Sequence, residues 1–280
     1  MSYRLRNILS SLIKYLTLAM ILVIVLFPIY WMVVTGFKTR LELTGTRPTW
    51  FPQIFTLENY FKAFGGRSFP QYMLNSIVVV SISTVLSLIA GSLAAYALAR
   101  LPMSRGFRNN MSFWILSTRM VPPIVTIIPI YLLFVNLHWL NSYRALIIVY
   151  TGFALPFTTW MMRAFIQEVP VDLEEAALVD GDNRLTAFFR IVLPLTAPGM
   201  AATAVFSIVV LWNEFIFALI LASTAKTITL PVGVSGLVSQ YELLWGEMGA
   251  AGTVVILPIL IFSLSVQRYL VRGLTVGAIK

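Results

Sequence analysis

The sequence predicts an all-α, polytopic membrane protein with six transmembrane helices, and three observations carry that prediction. Of its 280 residues, 59% are hydrophobic and 11% are charged, whereas soluble domains carry about 25% charged residues. Six apolar segments can be drawn, each near the ~20 residues that cross ~30 Å of hydrocarbon. Lysines and arginines fall unevenly on the two sides of those segments, as expected of a chain that keeps its basic loops inside. The net charge of +9 would suggest nucleic acid in a soluble chain. In this chain it reads as basic cytoplasmic loops, and no nucleic-acid partner is expected. There is no cysteine, and His138 is the single histidine. Disulfides, thiolate catalysis, Cys-ligated metals and histidine clusters are thereby removed, so no catalytic or metal-binding residue is assigned.

The first span is the charge-free run Tyr15 to Phe37, 23 residues long. It follows a basic start, but it exceeds the ~7–15 residues of a signal core and has no small-residue cleavage site before Lys38, so it remains a span. Phe27, Tyr30, Trp31 and Phe37 give it an aromatic, interfacial end. A polar outer loop then runs from Lys38 to Arg67. The second span lies within residues 69–99, which carry no charge. Ser76, Ser83 and Ser87 share one helical face there, serving either hydrogen bonds between helices or a hydroxyl-lined sugar path. Ala90, Gly91, Ala94 and Ala95 suit close helix packing.

Arg100, Arg105 and Arg108 make a basic turn before the third span, about 109–136. That span contains Arg119 and three prolines, Pro122, Pro123 and Pro129. Such breaks are tolerated where protein or a cavity re-satisfies the freed backbone groups. The fourth span, about 145–162, contains Pro156 and ends at Arg163. The fifth, about 195–221, contains Trp212, Asn213 and Glu214, and the sixth, about 248–267, opens on Gly249-Ala-Ala-Gly252. Between them lies a second outer loop, 222–247.

Ionisable groups within spans are functional candidates, because an unpaired charge there costs at least ~2.5 kcal/mol. Arg119 and Glu214 qualify. They could pair with each other as a structural or gating element, or either could touch a solute. Glu214 lies about 20 residues past Pro194, or ~30 Å along a helix, which places it in the outer half of its span. Asn213 stands beside it.

Pro170 to Pro194 is the longest charge-rich run, and Asp172, Glu174, Glu175, Asp180, Asp182, Arg184 and Arg190 keep it out of hydrocarbon. It has helix grammar: Asp172 reads as a cap with Glu175 completing a capping box, and Glu174 and Glu175 fall in a first turn where the helix dipole favours acids. Gly181 reads as the stop. A second short helix is expected from about Arg184 to Ile191, with Pro194 at the start of the next span. With both termini and this two-helix knob on one side, that side holds twelve Lys and Arg against seven opposite, Arg119 lying within a span. The knob and both termini are therefore expected in the cytoplasm.

Glu175-Ala176-Ala177, Gly181, and Ile191-Val-Leu193-Pro194 have the spacing E-A-A-x3-G-x9-I-x-L-P. This resembles the coupling-loop signature of the membrane subunits of binding-protein-dependent ABC importers. Leu26-Phe-Pro-Ile-Tyr-Trp31, Asn75-Ser76, Ala94-Ala-Tyr-Ala-Leu-Ala-Arg100, Trp212-Asn213-Glu214 and Gln267 to Thr275 extend the likeness over the whole chain, to the smaller maltose-type permease of the carbohydrate branch. Asp182, where the family usually has alanine, is a departure.

The resemblance implies a type I importer permease fold organised in three parts. Residues 1–68 hold the N-terminal segment, first helix and first outer loop; residues 69–268 hold the core with its coupling loop at 164–194; residues 269–280 form a cytoplasmic tail. It also implies that Glu174, Glu175, Ala176, Ala177, Asp180, Gly181, Ile191, Leu193 and Pro194 couple the chain to an ATPase, with Arg272 and Lys280 as further contacts. The implied partners are a second homologous permease, two ATP-binding subunits and an extracytoplasmic solute-binding protein that the loop 222–247 would touch. The implied site of action is the bacterial inner membrane. No glycine is followed directly by lysine, so a P-loop is absent. ATP and Mg would belong to the partner ATPase, and this chain needs no cofactor. The alternative is an ion-coupled secondary transporter using Glu214. An intramembrane enzyme lacks the convergent groups it would need.

Overall fold

A computed structural model describes residues 3–65, 68–237 and 244–276, with side chains between residues 11 and 264. Every regular element among them is helical. Four helices are long and apolar enough to cross a bilayer: Ser11–Gly36, Phe69–Arg100, Tyr143–Glu168 and Trp245–Leu264. The third and fifth apolar segments are not straight spans. The third is a bent pair, Arg105–Met120 with Pro123–Asn136 at 90°; the fifth, Ala197–Trp212, is joined at 76° to Arg184–Leu195 from the charge-rich stretch before it. Counting each pair as one crossing gives six.

The corners have local causes that hydropathy does not register. Val121 and Pro122 are extended, with ψ of 118° and 137°, because a following proline disfavours the helical region. Neither Pro122 nor Pro123 has an N–H, so the helix ends at Met120 and a new one starts in another direction. At the second corner, Thr196 leaves the helical range at ψ 4° and its hydroxyl donates to the Val192 carbonyl. Pro198 follows and removes another amide. The fifth segment is broken again after Trp212, and a short helix, Ile216–Leu221, resumes beyond Asn213, Glu214 and Phe215.

The described residues group into two compact units. The first contains the chain up to Phe69 together with Val234–Leu257. Its helices meet at small residues: a Cβ on Gly249 would lie 2.8 Å from the Gly36 nitrogen and the Met32 carbonyl oxygen. No side chain fits there, and Ala250 beside it is fully buried, the packing expected of helices that associate without a hydrophobic drive. The outer loop of this unit is folded around two charges. Lys38 is buried, donates to the Thr49 carbonyl and lies 4.5 Å from the Trp31 ring centre. The Glu42 carboxylate accepts the Thr49 hydroxyl and the Gln53 amide.

The second unit contains Pro70–Gly233 and the chain from Pro258 onward. Here the polar residues of the second span face inward. Ser83 donates to the Ile147 carbonyl at 3.2 Å, the Ser87 carbonyl accepts from Thr158 at 3.0 Å, and Ser76 accepts the Leu230 amide at 2.8 Å. Asn75, with no exposed surface, donates to the carbonyls of Ala225 and Ile228 and accepts from Gln71 and Tyr143. One asparagine thus pins the segment 225–228.

Candidate coupling site

The knob begins where the Tyr143–Glu168 helix is stopped by Pro170. Its first helix is Val171–Val179, and Pro170 is the cap residue, with no side-chain hydrogen bond. Asp172 is therefore the second helical residue and caps nothing, a correction to the expected capping box: Pro170 starts the helix two residues sooner than an Asp172 cap requires. The far end follows the sequence reading. Gly181 has φ +97°, the Gly181 amide donates to the Leu178 carbonyl, and the Asp182 amide donates to the Ala177 carbonyl. Those two bonds form a Schellman stop, which needs a left-handed residue at this position. Asn183 then caps the second helix by accepting from the Thr186 amide at 2.9 Å. Arg190 pairs with Asp182 at 3.1 Å across the turn, so the departing aspartate braces the two knob helices. A valine at 181 would be strained by about 1–2 kcal/mol, and asparagine, which bonds its own backbone, by less. Gly181→Val is therefore expected to lower the melting temperature of the purified chain measurably, and Gly181→Asn to lower it less.

Helical spacing sorts the coupling candidates into two faces. Glu174 and Ala177, three apart, are buried at 4% and 7% exposure, whereas Glu175, Ala176 and Asp180 are exposed. Glu174 and Ala177 thus belong to the knob's own interior, a correction to their expected place at a partner surface. Ile191 and Leu193 are half-buried and Pro194 is exposed. The outward surface also carries large apolar groups, Leu173, Leu185 and Val179, the last 87% exposed.

Sequence reasoning missed what holds the knob. Arg100, the last residue of the Phe69–Arg100 helix, donates its Nε to Glu174 at 2.6 Å and its Nη2 to the carbonyls of both Ile166 at 2.8 Å and Val169 at 2.5 Å. The carbonyls are at the C-terminal end of the Tyr143–Glu168 helix, where a cation also meets the negative end of the dipole. Tyr96 donates to the other Glu174 oxygen at 3.0 Å and to the Arg184 carbonyl at 3.2 Å. One guanidinium, one carboxylate and one phenol therefore tie two long helices to both knob helices. Beneath them, Tyr96, Met162, Ile166, Phe188 and Val192 form a buried cluster edged by Leu193. Phe188–Val192 is a π-helical turn, a local widening common at functional sites.

The remaining candidates lie elsewhere in the second unit. Ser76, Ser83 and Ser87 are buried and engaged in packing, which corrects the pathway reading for that face. Glu214 is no intramembrane pair: its carboxylate accepts from the amides of Phe217 at 2.9 Å and Ala218 at 3.2 Å, starting the helix after the break. Asn213 is exposed and donates to the Val209 carbonyl. Arg119 sits at the 90° corner with its guanidinium 5.1 Å from the Phe153 ring centre and 5.5 Å from that of Phe157, so it does not pair with Glu214. The side chains of Arg272 and Lys280 lie outside the described residues.

Long apolar helices, two of them clamped at their ends to a two-helix knob, describe a polytopic membrane protein. Residues 87–276 match the profile of the binding-protein-dependent transport system inner membrane component, and the chain belongs to that family, the membrane permeases of ABC transporters. It is 37% identical to the sulfoquinovosyl glycerol transport system permease protein SmoH of Agrobacterium fabrum, over 96% of this chain and 93% of that protein. It is 34% identical to the trehalose/maltose transport system permease protein MalG of Thermococcus litoralis, over 92% of each. Its fold matches a chain of a bacterial ABC transporter involved in import of the acidic polysaccharide alginate, with TM-score 0.79, 24% identity and coverage of 96% of this chain and 98% of that one.

Proposed function

We propose that this chain is one of two homologous permease subunits of an ATP-driven importer that carries a sugar or related polyhydroxylated solute into the cytoplasm. Two separate ATP-binding subunits would hydrolyse MgATP, and an extracytoplasmic solute-binding protein would deliver the solute at the outer face. The knob and both termini would face the cytoplasm. The observation that carries the coupling role is the knob itself: an apolar outward surface of Leu173, Val179 and Leu185 on a unit bound to two long helices through Arg100 and Glu174. A surface of that kind is exposed for a partner, and clamping makes it a lever. When the ATPase closes and moves the knob, the displacement passes to the ends of Phe69–Arg100 and Tyr143–Glu168 and can alternate access to the path. The names of the two relatives support a glycoside or disaccharide as cargo. An ion-coupled mechanism has no comparable support, since the Glu214 carboxylate is committed to two backbone amides.

Affinity purification in mild detergent tests the assignment. An ATP-binding subunit should co-purify in stoichiometric amount, and sugar uptake should stop when its ATPase is inactivated. Uptake that continued without it, driven by a proton or sodium gradient, would overturn the proposal.

A further inference from the structure

We propose that the cavity around Arg119 receives an anionic group of the imported saccharide: a carboxylate, sulfonate or phosphate. This rests on the sugar-permease reading and narrows it to acidic sugars. The cavity has a volume of about 350 Å3, within the usual range for small-ligand sites. Its wall gathers two breaks between helices and one proline that removes a hydrogen bond inside a continuous helix. The first is the corner at Thr118 to Pro123. The second is the stretch from Gly152 to Pro156, where the proline removes the amide that the Gly152 carbonyl would otherwise accept. The third is Phe217, just past the break at Asn213 to Phe215. Broken backbone at membrane depth is found where it lines a cavity, and transporters bind solute at such discontinuities.

The charge of the wall is one-sided. Among the described residues Arg119 is its sole charged one, and no carboxylate lines it. The guanidinium rests over Phe153 and Phe157, which hold a cation without neutralising it. Among the described residues no hydrogen bond or ion pair engages its five donors. Other arginines of the same unit are committed to protein: Arg100 to Glu174 and two carbonyls, Arg163 to Ser112, Arg108 to the Leu101 carbonyl. An arginine kept within a membrane protein faces a cavity and finds a partner, and its planar fork fits a two-oxygen anion. The Thr118 and Thr126 hydroxyls donate to carbonyls of Ile115 and Pro123, leaving their lone pairs free to accept from sugar hydroxyls. Anion and polyol recognition therefore meet in one space.

The test uses the whole transporter with its binding protein in proteoliposomes. ATP-dependent uptake is measured for matched glucosides and glucuronides, and for sulfonated and phosphorylated sugars, with the parent, Arg119→Gln and Arg119→Lys. The parent is expected to import an acidic sugar. Loss of a charged hydrogen-bond partner should cut that uptake about 10- to 100-fold in Arg119→Gln, with partial recovery in Arg119→Lys and no change for any neutral sugar carried. Equal loss for acidic and neutral sugars would overturn the proposal and give Arg119 a structural role at the corner. So would import of neutral sugars alone, and so would acidic uptake unaffected by Arg119→Gln; both would leave the sugar reading standing. Failure of every sugar, alongside import of an unrelated solute, would overturn the sugar reading and this inference together.

Discussion

Arg100→Ala is expected to lower the thermal unfolding midpoint of the detergent-purified chain by about 10 °C and to abolish uptake. The substitution leaves the Glu174 carboxylate buried without its cation and frees two helix-terminal carbonyls at once. Breaking a buried pair from one side costs about 3–5 kcal/mol, and for chains of this size each kcal/mol shifts the midpoint by about 2–4 °C. The side chains on both sides of the pair are nearly inaccessible, at 8% and 5%, so solvent does little to soften the loss. Glu174→Gln keeps one acceptor oxygen for Arg100 and turns its NH2 to the Tyr96 oxygen, which can accept while donating to the Arg184 carbonyl, so its effect should be smaller. Tyr96→Phe removes a hydroxyl shared between the Glu174 carboxylate and the Arg184 carbonyl and should cost about 1.5–3 kcal/mol. The combined Arg100→Met, Glu174→Met chain should be more stable than Arg100→Ala alone, because no orphaned charge remains. If Arg100→Ala melted with the parent, the clamp would have no mechanical role, since a contact worth nothing to the fold cannot transmit force through it.

How far the sequence could be read depends on the range of each interaction. The apolar segments were legible because crossing hydrocarbon constrains every residue in a local window. The stop at Gly181 was legible for the same reason: its two closing bonds run from Gly181 and Asp182 to Leu178 and Ala177. The corners at Val121-Pro122 and Thr196 were visible as prolines but not as turns of 90° and 76°, because proline composition does not set how far a helix swings. Arg100 read as one basic residue of a turn, since its carboxylate lies 74 positions away. Glu174 and Glu175 are adjacent and alike as letters. Only the packing of the knob against Tyr96 and Phe188 decides which one faces inward. The helix-starting role of Glu214 was hidden because the break at residues 213–215 carries no proline or glycine to announce it. The spacing to the amides of Phe217 and Ala218, three and four residues on, was the available sign of a helix start.

The sorting of the two knob faces leads to the sharpest test of coupling. Ala177 is buried within the chain, so a bulky residue there would damage the knob itself and say nothing of a partner. Val179 is 87% exposed and sits on the last turn of the first knob helix, where a substitution meets only solvent in the isolated chain. Val179→Asp and Val179→Arg are therefore expected to insert, to fold and to melt within a few degrees of the parent. In the transporter a charge at that point would enter an apolar contact unpaired. The loss at a central interface residue is typically ~2 kcal/mol or more, which corresponds to about 30-fold or greater weakening of ATPase association. Testing both signs of charge removes the chance that one finds a counter-ion on the partner. Co-purified ATPase and sugar uptake should fall together in both variants, while Glu175→Ala on the same face should lose less, since an exposed acid at an interface rim contributes little. Normal uptake and normal ATPase recovery with both Val179 variants would place the coupling contact somewhere other than this knob.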